Sequence, residues 1–388
     1  MNIVRKSMWL KLVVVGITMS LLLGMPVNSN AAENVLRIGV VGPESGGSAQ
    51  LGQGQRNAAQ LAVDEINASG AAGDWKLEVY FEDDQGNPTQ ATNVTMRLIQ
   101  QNNVHIILGA INSSATLAAM VITEREGIPQ ICAGSTGASI TQQGSKWIFR
   151  TAVNDAYQAD ALAKYAKDTL GLTKVASFTA ADDYGQSGAV LLADAAKKYD
   201  LEMVTQQTYN GGDIDFKPQL ISIINAEAEG IFMWGIYTEA ALISIQSRQL
   251  GFEGQLFGAS GMASQRLIDL SAEAGQGLIL TQSFLPSSED ENVTKFVSGF
   301  MAKYNESPIP HGAQAYDSMY IIANAIKKAN TTDPEKLRDA ISETQGLSMV
   351  TGTPQFNEFG DDTGKRVLIT KIQGDEFVLV EVVSTGVK

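Results

Sequence analysis

Residues 104–120 read VHIILGAINSSATLAAM. The apolar run 104–108 has the length and β-branched content of a buried strand, and Gly109 ends it. Asn112, Ser113 and Ser114 then stand where a helix should begin, and residues 115–120 are helix formers. A strand that turns through small polar residues into a helix leaves the first N–H groups of that helix without partners, which favours an anion there. No Lys or Arg lies in the loop and no G-x-x-x-x-G-K-[ST] pattern occurs, so a phosphate cradle is disfavoured. Two readings fit: a carboxylate held by hydroxyls and backbone N–H groups, or an ordinary Ser N-cap with no ligand.

The same unit recurs along the chain. Apolar runs at 35–42, 76–82, 104–109, 128–132, 174–179, 201–208, 230–235, 255–258 and 278–282 alternate with helical patterns, among them 53–69, 88–102, 155–170, 184–199, 215–226 and 238–250. The strand runs are continuous rather than alternating, as expected where both faces of a sheet are covered. This βαβα rhythm predicts an α/β fold of doubly wound parallel sheets. Such sheets bind ligands beyond the carboxyl ends of their strands. The loops there are 42–52, 83–88, 109–114, 133–139, 180–185, 235–237 and 258–263. Segments 151–156 and 282–290 interrupt the rhythm and read as crossings between two lobes. The tail differs: 367–372 and 376–383 flank Gly374-Asp375 and predict an antiparallel hairpin.

Arg5 and Lys6, an apolar stretch densest over 12–25, and the small residues Ser29, Ala31 and Ala32 predict a secretory signal peptide over 1–32. Lys11 splits the apolar run, which is short for a membrane span. The one cysteine, Cys132, lies far from the cleavage region, so neither a lipid anchor there nor an internal disulfide is expected. The chain beyond the signal, about 356 residues, is the size of two domains. A net charge of −14, spread along the chain, argues against nucleic acid and anionic membrane as partners.

No catalytic set stands out. His105 sits in an apolar strand and reads as a core residue. His311 follows Pro308 and Pro310 and reads as a surface residue at a helix start. No G-x-S-x-G occurs, and the glycines of 42–54 have the wrong spacing for a dinucleotide fingerprint. The acid pairs Asp83-Asp84 and Asp182-Asp183 lack EF-hand spacing and read as solvated loop carboxylates. Two histidines and one cysteine are too few for an N/S-rich metal site. Neither an enzyme nor a cofactor or metal is expected. Tyr184, in AADDYGQSG, and Tyr237, in FMWGIYTEA, each follow a strand end, where a ring with a polar tip suits either the wall of a small-ligand cleft or a helix N-terminus that it caps and packs on.

RIGVVGPESGGSAQLGQGQRNAAQLAVDEINASG, YFEDDQGNPTQA, ILGAINSSATLAA, IPQICAGSTGASIT, IFRTAVNDAYQA and DDYGQSG, in that order behind a signal peptide, resemble the leucine/isoleucine/valine-binding protein family. These are the extracytoplasmic solute receptors of branched-chain amino acid ABC transporters. The resemblance implies a type I periplasmic binding protein: two lobes joined by a three-strand hinge, closing on a ligand between them. Lobe 1 would take 34–153 and 284–348, and lobe 2 would take 154–283 and 349–388. It places the carboxylate-binding serine on Ser113, with Ser114 beside it. The next loop contributes Gly134 and Thr136, with Ser135 between them. The closing tyrosines fall on Tyr184 and Tyr237, and a side-chain contact falls on Leu51.

Two departures stand out. The family's ammonium-pairing acid falls on Ser260, in Gly258-Ala259-Ser260-Gly261. A buried ammonium without a counter-charge is costly, so Glu239 or another acid near the cleft, such as Asp183, substitutes, or the ligand carries no ammonium. The family disulfide is also missing, with Gly86 at one position and Cys132 left unpaired and buried. The implied function is a monomeric, periplasmic or secreted solute-binding protein that captures a small carboxylate, foremost a branched-chain type amino acid, and delivers it to an ABC permease. An ammonium-free organic or aromatic acid, or a sensor of the same fold feeding a receptor, is the alternative.

Overall fold

The computed structural model describes residues 34–384. The signal-peptide reading of 1–32 lies outside the described residues. Among them, no helix is long and apolar enough to cross a membrane.

The α/β expectation holds. Strands β1 (Asn34–Gly42), β2 (Trp75–Asp83), β3 (Ile106–Leu108), β4 (Gln130–Cys132) and β5 (Ile148–Arg150) form a five-stranded sheet in the order β2-β1-β3-β4-β5. The β1–β3, β3–β4 and β4–β5 pairs are parallel. A second, seven-stranded sheet is built from β6 (Lys174–Ala180), β7 (Glu202–Tyr209), β8 (Gly230–Trp234), β9 (Gln255–Gly258), β10 (Ile279–Gln282), β11 (Arg366–Gln373) and β12 (Glu376–Ser384). Its order is β12-β11-β10-β9-β8-β6-β7, parallel from β10 to β7. The tail joins as the expected antiparallel hairpin.

Helices α1 (Ala49–Ser69), α2 (Pro88–Gln100), α3 (Ser113–Glu126) and α4 (Ser139–Gln142) follow the strands of the first sheet. Helices α5 (Asp155–Asp168), α6 (Asp183–Lys198), α7 (Lys217–Asn225), α8 (Tyr237–Gln249) and α9 (Gln265–Ser271) accompany the second. The chain then returns: α10 (Glu291–Tyr304), α11 (Pro310–Ala329) and α12 (Pro334–Ser342) bury Phe296, Phe300, Ile322, Leu337 and Ile341 in one core with Leu36, Ile38 and Ile106 of the first sheet. That continuous burial explains why strands without polar alternation are stable here.

Two details position the site. Gly109 has φ +129, and a Cβ there would lie 2.1 Å from the Val41 carbonyl oxygen, so only glycine lets β3 leave the sheet this close to β1. Helix α1 starts at Ala49, earlier than the expected residue 53, which puts Leu51 in a first helical turn rather than in a loop. Ser48 precedes it without a side-chain cap.

The passages between the sheets are pinned by buried ions. The Arg150 guanidinium, fully buried, bonds the Thr136 and Gly137 carbonyls at 2.9 and 2.6 Å through Nη1. Its Nε and Nη2 reach Asp361 at 2.7 and 2.6 Å. Backbone bonds Arg150 N–H to Gly360 O and Asp362 N–H to Arg150 O extend β5 by one parallel bridge. Buried Asp317 of α11 accepts from the Val350 and Thr351 N–H groups and faces Lys365 Nζ at 3.8 Å, which also meets Asp362 at 3.3 Å. Removing one partner from such a cluster strands the other in low dielectric. Arg150→Ala is expected to lower the unfolding free energy by about 3–5 kcal/mol. Arg125→Ala, on an exposed ion pair, is expected to change it by less than about 0.5 kcal/mol. Urea unfolding of the two variants checks this, and equal effects would contradict it.

Candidate functional site

The strands β1, β3, β4, β6, β8 and β9 all end beside one small cavity. Its lining is Leu51, Ile111, Asn112, Ser113, Gly134, Thr136, Tyr184, Ile236, Gly261 and His311. It measures about 20 Å³, room for a single water-sized group, so a larger ligand enters only if the walls part.

One wall is the start of α3. Asn112, in extended backbone (φ −74, ψ 135), is the N-cap, and no side chain caps the helix. Asn112 Oδ1 accepts instead from Ser48 Oγ at 3.0 Å. Ser113, buried, opens the first turn. The ordinary Ser N-cap therefore does not occur. Asn112 and Ser113 line the cavity at the positive end of the helix, whose first N–H groups no side chain caps.

The next wall is the loop after β4. A Cβ on Gly134 would lie 2.4 Å from Ile111 Cδ1 and 3.1 Å from His311 Cδ2, so the glycine permits a three-way approach of loop, α3 and α11. Ser135 does not line the cavity. Its hydroxyl donates to Ile111 O at 2.7 Å and pairs with Thr116 Oγ1, fastening this loop to the previous one. Cys132, buried and free as expected, lies beneath it and donates to Ser135 O at 3.4 Å.

Across the cavity stands Tyr184, in the first turn of α6. Its ring leans on Trp234, and its hydroxyl accepts from Gly261 N–H at 3.4 Å. Burial holds the phenol well above its ordinary pKa, with the Asp155 charge adding to the effect. Asp155 begins α5 and is fully buried behind Thr136 and Tyr184. Burial pushes its carboxyl up to about 7, against the opposing pull of Thr136, Arg150 and Trp234. Its Oδ1 accepts from Gln158 Nε2 at 3.3 Å, and its Oδ2 has no hydrogen-bond partner.

Of the residues expected in the site, Leu51, Ser113, Gly134, Thr136 and Tyr184 meet at the cavity. Ser114 is half-buried and turned away by the helical rotation from Ser113. Tyr237 is buried but does not line the cavity; its hydroxyl accepts from Gln50 N–H at 3.3 Å. Ser260 also stands back. Its N–H donates to Gln158 Oε1 at 3.1 Å, and its buried hydroxyl has no partner.

Neither proposed replacement acid reaches the cavity. Glu239 is engaged by Gly212 N–H at 2.8 Å and by Thr238 Oγ1, while Asp183 is exposed. The acid near the cavity is Asp155, which the sequence reading placed in a crossing segment and at a helix start without assigning it to the site. His311 was expected at the surface but is buried and lines the cavity. His105 was expected in the core but is half-buried, its Nδ1 accepting from Arg37 N–H at 3.0 Å. Of the acid pairs, Asp83 binds the Glu44 and Gln85 N–H groups and Asp182 caps α6. Asp84, expected in solvent, is fully buried and accepts from Gly86 N–H.

The family model described as periplasmic binding protein matches residues 35–375. A leucine-, isoleucine-, valine-, threonine- and alanine-binding protein of Pseudomonas aeruginosa is 27% identical over 332 residues, 85% of this chain and 88% of that protein. Two solved structures, each 28% identical, superpose on 90% of this chain and 99% of their own. They are a leucine-binding protein from Thermotoga maritima, with a TM-score of 0.85, and a branched-chain amino acid transporter substrate-binding protein from Streptococcus pneumoniae in complex with isoleucine, with a TM-score of 0.84. The matched span runs through both sheets and every wall of the cavity, and the chain belongs to the periplasmic binding protein family.

Proposed function

We propose that this chain is the extracytoplasmic receptor of an ABC importer and binds a small α-amino acid between two lobes. The lobes are taken as 34–153 with 284–348 and 154–283 with 349–388. The reading includes export through the signal peptide 1–32 to the periplasm or outside the cell. It also includes action as a monomer, delivery to a permease, and capture and release with no covalent step.

One observation carries it: the uncapped start of α3 with Ser113, the Thr136 loop and Tyr184 line one cavity, and behind Thr136 and Tyr184 lies the buried Asp155 carboxyl with its Oδ2 unpartnered. Hydrogen-bond donors and a carboxyl match the two ends of an amino acid zwitterion. Ser113 and the α3 N–H groups take the ligand carboxylate. Thr136 and the Gly134 carbonyl take the ammonium, with Asp155 in the role that Ser260 cannot fill. Leu51 and Ile236 face the side chain. The relatives whose names specify leucine, isoleucine, valine, threonine or alanine support the ligand class.

A second reading, an ammonium-free acid, is favoured by Ser260 and by the same Asp155, because a carboxyl titrating near neutrality can stay protonated beside an anion. The two differ in sign with pH. An ammonium binds the ionised carboxylate, so affinity for an amino acid should rise from pH 5.5 to pH 8, on the order of tenfold for a group titrating near 7, with a proton released on binding. An anion without an ammonium prefers the protonated form, so its affinity should fall over the same range. Calorimetry of L-leucine, L-valine, L-threonine and benzoate at both pH values separates them. Binding of benzoate alone, weakening with pH, would overturn the amino-acid reading. With the tightest of these ligands, Ser113→Ala and Thr136→Ala are each expected to cost about 1–3 kcal/mol, since each leaves a buried ligand group unpaired. Unchanged affinity in both would remove the site assignment.

A further inference from the structure

His311 is the second residue of α11, set in the cavity wall by the close packing of α11 on α1. A Cβ on Gly312 would lie 3.0 Å from the Gly54 carbonyl oxygen, and one on Gly54 would lie 2.8 Å from Ile309, so the two helices meet through glycines at this point. The packing leaves His311 only 3% exposed. Among the described residues no hydrogen bond reaches its ring, and Nδ1 is sealed without a partner. A buried polar group in that state costs free energy until something satisfies it.

Its neighbours in the wall are apolar. Leu51 and Ile111 pack in one cluster with Ile236, and Ile111 Cδ1 shares with His311 Cδ2 the space above Gly134. The imidazole is thus a polar group set among hydrocarbon in the wall of the cavity. The ring edge beside Gly134 is Cδ2, the atom next to Nε2, and a half-turn about χ2 would bring Nδ1 to that position instead. Burial takes the ring's pKa down to about 4, which keeps it neutral at pH 7, with one donor and one acceptor nitrogen.

We propose that His311 reads the ligand's side chain and selects a short one that carries a hydroxyl as well as a methyl group, over the hydrocarbon side chain of the same shape. The proposal rests on the amino-acid reading above and narrows its substrate class. A hydroxyl on the side chain supplies the partner that the ring lacks, while the methyl group meets Leu51, Ile111 and Ile236. A hydrocarbon isostere buries the same area but leaves the imidazole unsatisfied, and a site built to bond a polar group discriminates against the analogue that lacks it. The small cavity favours a short side chain.

L-Threonine and L-valine are the probes, because they differ by a hydroxyl in place of a methyl group. Calorimetry on the intact secreted chain at pH 7 is expected to show L-threonine bound at least tenfold more tightly than L-valine. His311→Phe should abolish that ratio or invert it, by loss of threonine affinity and gain of valine affinity. His311→Gln, which keeps a polar head, should retain threonine preference. Valine binding as tightly as threonine in the natural chain overturns the proposal whether or not either variant folds. So does a ratio unchanged in His311→Phe. If leucine and valine bind and threonine does not, this proposal fails while the amino-acid reading stands. If benzoate binds and no amino acid does, both fail.

Discussion

Arg150 places a full positive charge in the interior, and its donors are distributed over parts of the chain far apart in sequence: the carbonyls of residues 136 and 137, the Thr141 hydroxyl and the Asp361 carboxylate. A buried guanidinium tolerates few geometries, because each unmet donor costs desolvation without return. The loop bearing Thr136 is therefore held by the same group that ties β5 to the segment returning at Asp361. Thr136 in turn stands against Asp155, whose titration feels the Arg150 charge. The polar end of the cavity is thus set by a network rooted at the passage between the two sheets. Any shift of Asp361 relative to β5 is felt at the carbonyl of Thr136.

The expected strands and helices recur because their signals are local. Continuous apolar runs bounded by glycine or polar turns need no distant partner to be recognised, and even the tail hairpin followed from two runs and a Gly374-Asp375 turn. Strand β5 shows the limit. Ile148–Arg150 is three residues long and ends in arginine, which composition reads as surface. Only a carboxylate 211 residues onward makes that arginine an interior residue.

The site divides along the same line. Ser113, Gly134, Thr136 and Tyr184 were legible because strand-end loops of small polar residues, and their resemblance to a family, pointed to them directly. Asp155 and His311 were not. Asp155 sits at a helix start within a crossing segment, and its interactions come from Trp234, Tyr184 and Thr136, contributed by three other segments. His311 follows prolines that mark a surface turn, yet the α1–α11 approach through Gly54 and Gly312 buries it. Both are polar residues whose environment is tertiary. Sequence periodicity carries little information about such residues.

Tyr237 stands outside the cavity lining and bonds protein groups there. Its hydroxyl meets Gln50 N–H, and Gln50 Oε1 in turn accepts from Ser264 Oγ and from Arg266 N–H at 3.4 Å. Ala138 N–H donates to Ser187 Oγ at 3.3 Å. These bonds join the starts of α1 and α4 to those of α6, α8 and α9, and protein groups alone make them. Each neutral bond contributes about 1 kcal/mol at most after exchange with water, so together they bias closure without fixing it. A ligand shifts such an equilibrium only by its differential affinity for the two states. Under the proposed function that differential would come from Ser113, Thr136 and Tyr184, which line the cavity together. The Gln50–Tyr237 bond lies outside the cavity lining, so it occupies none of the cavity's own polar groups.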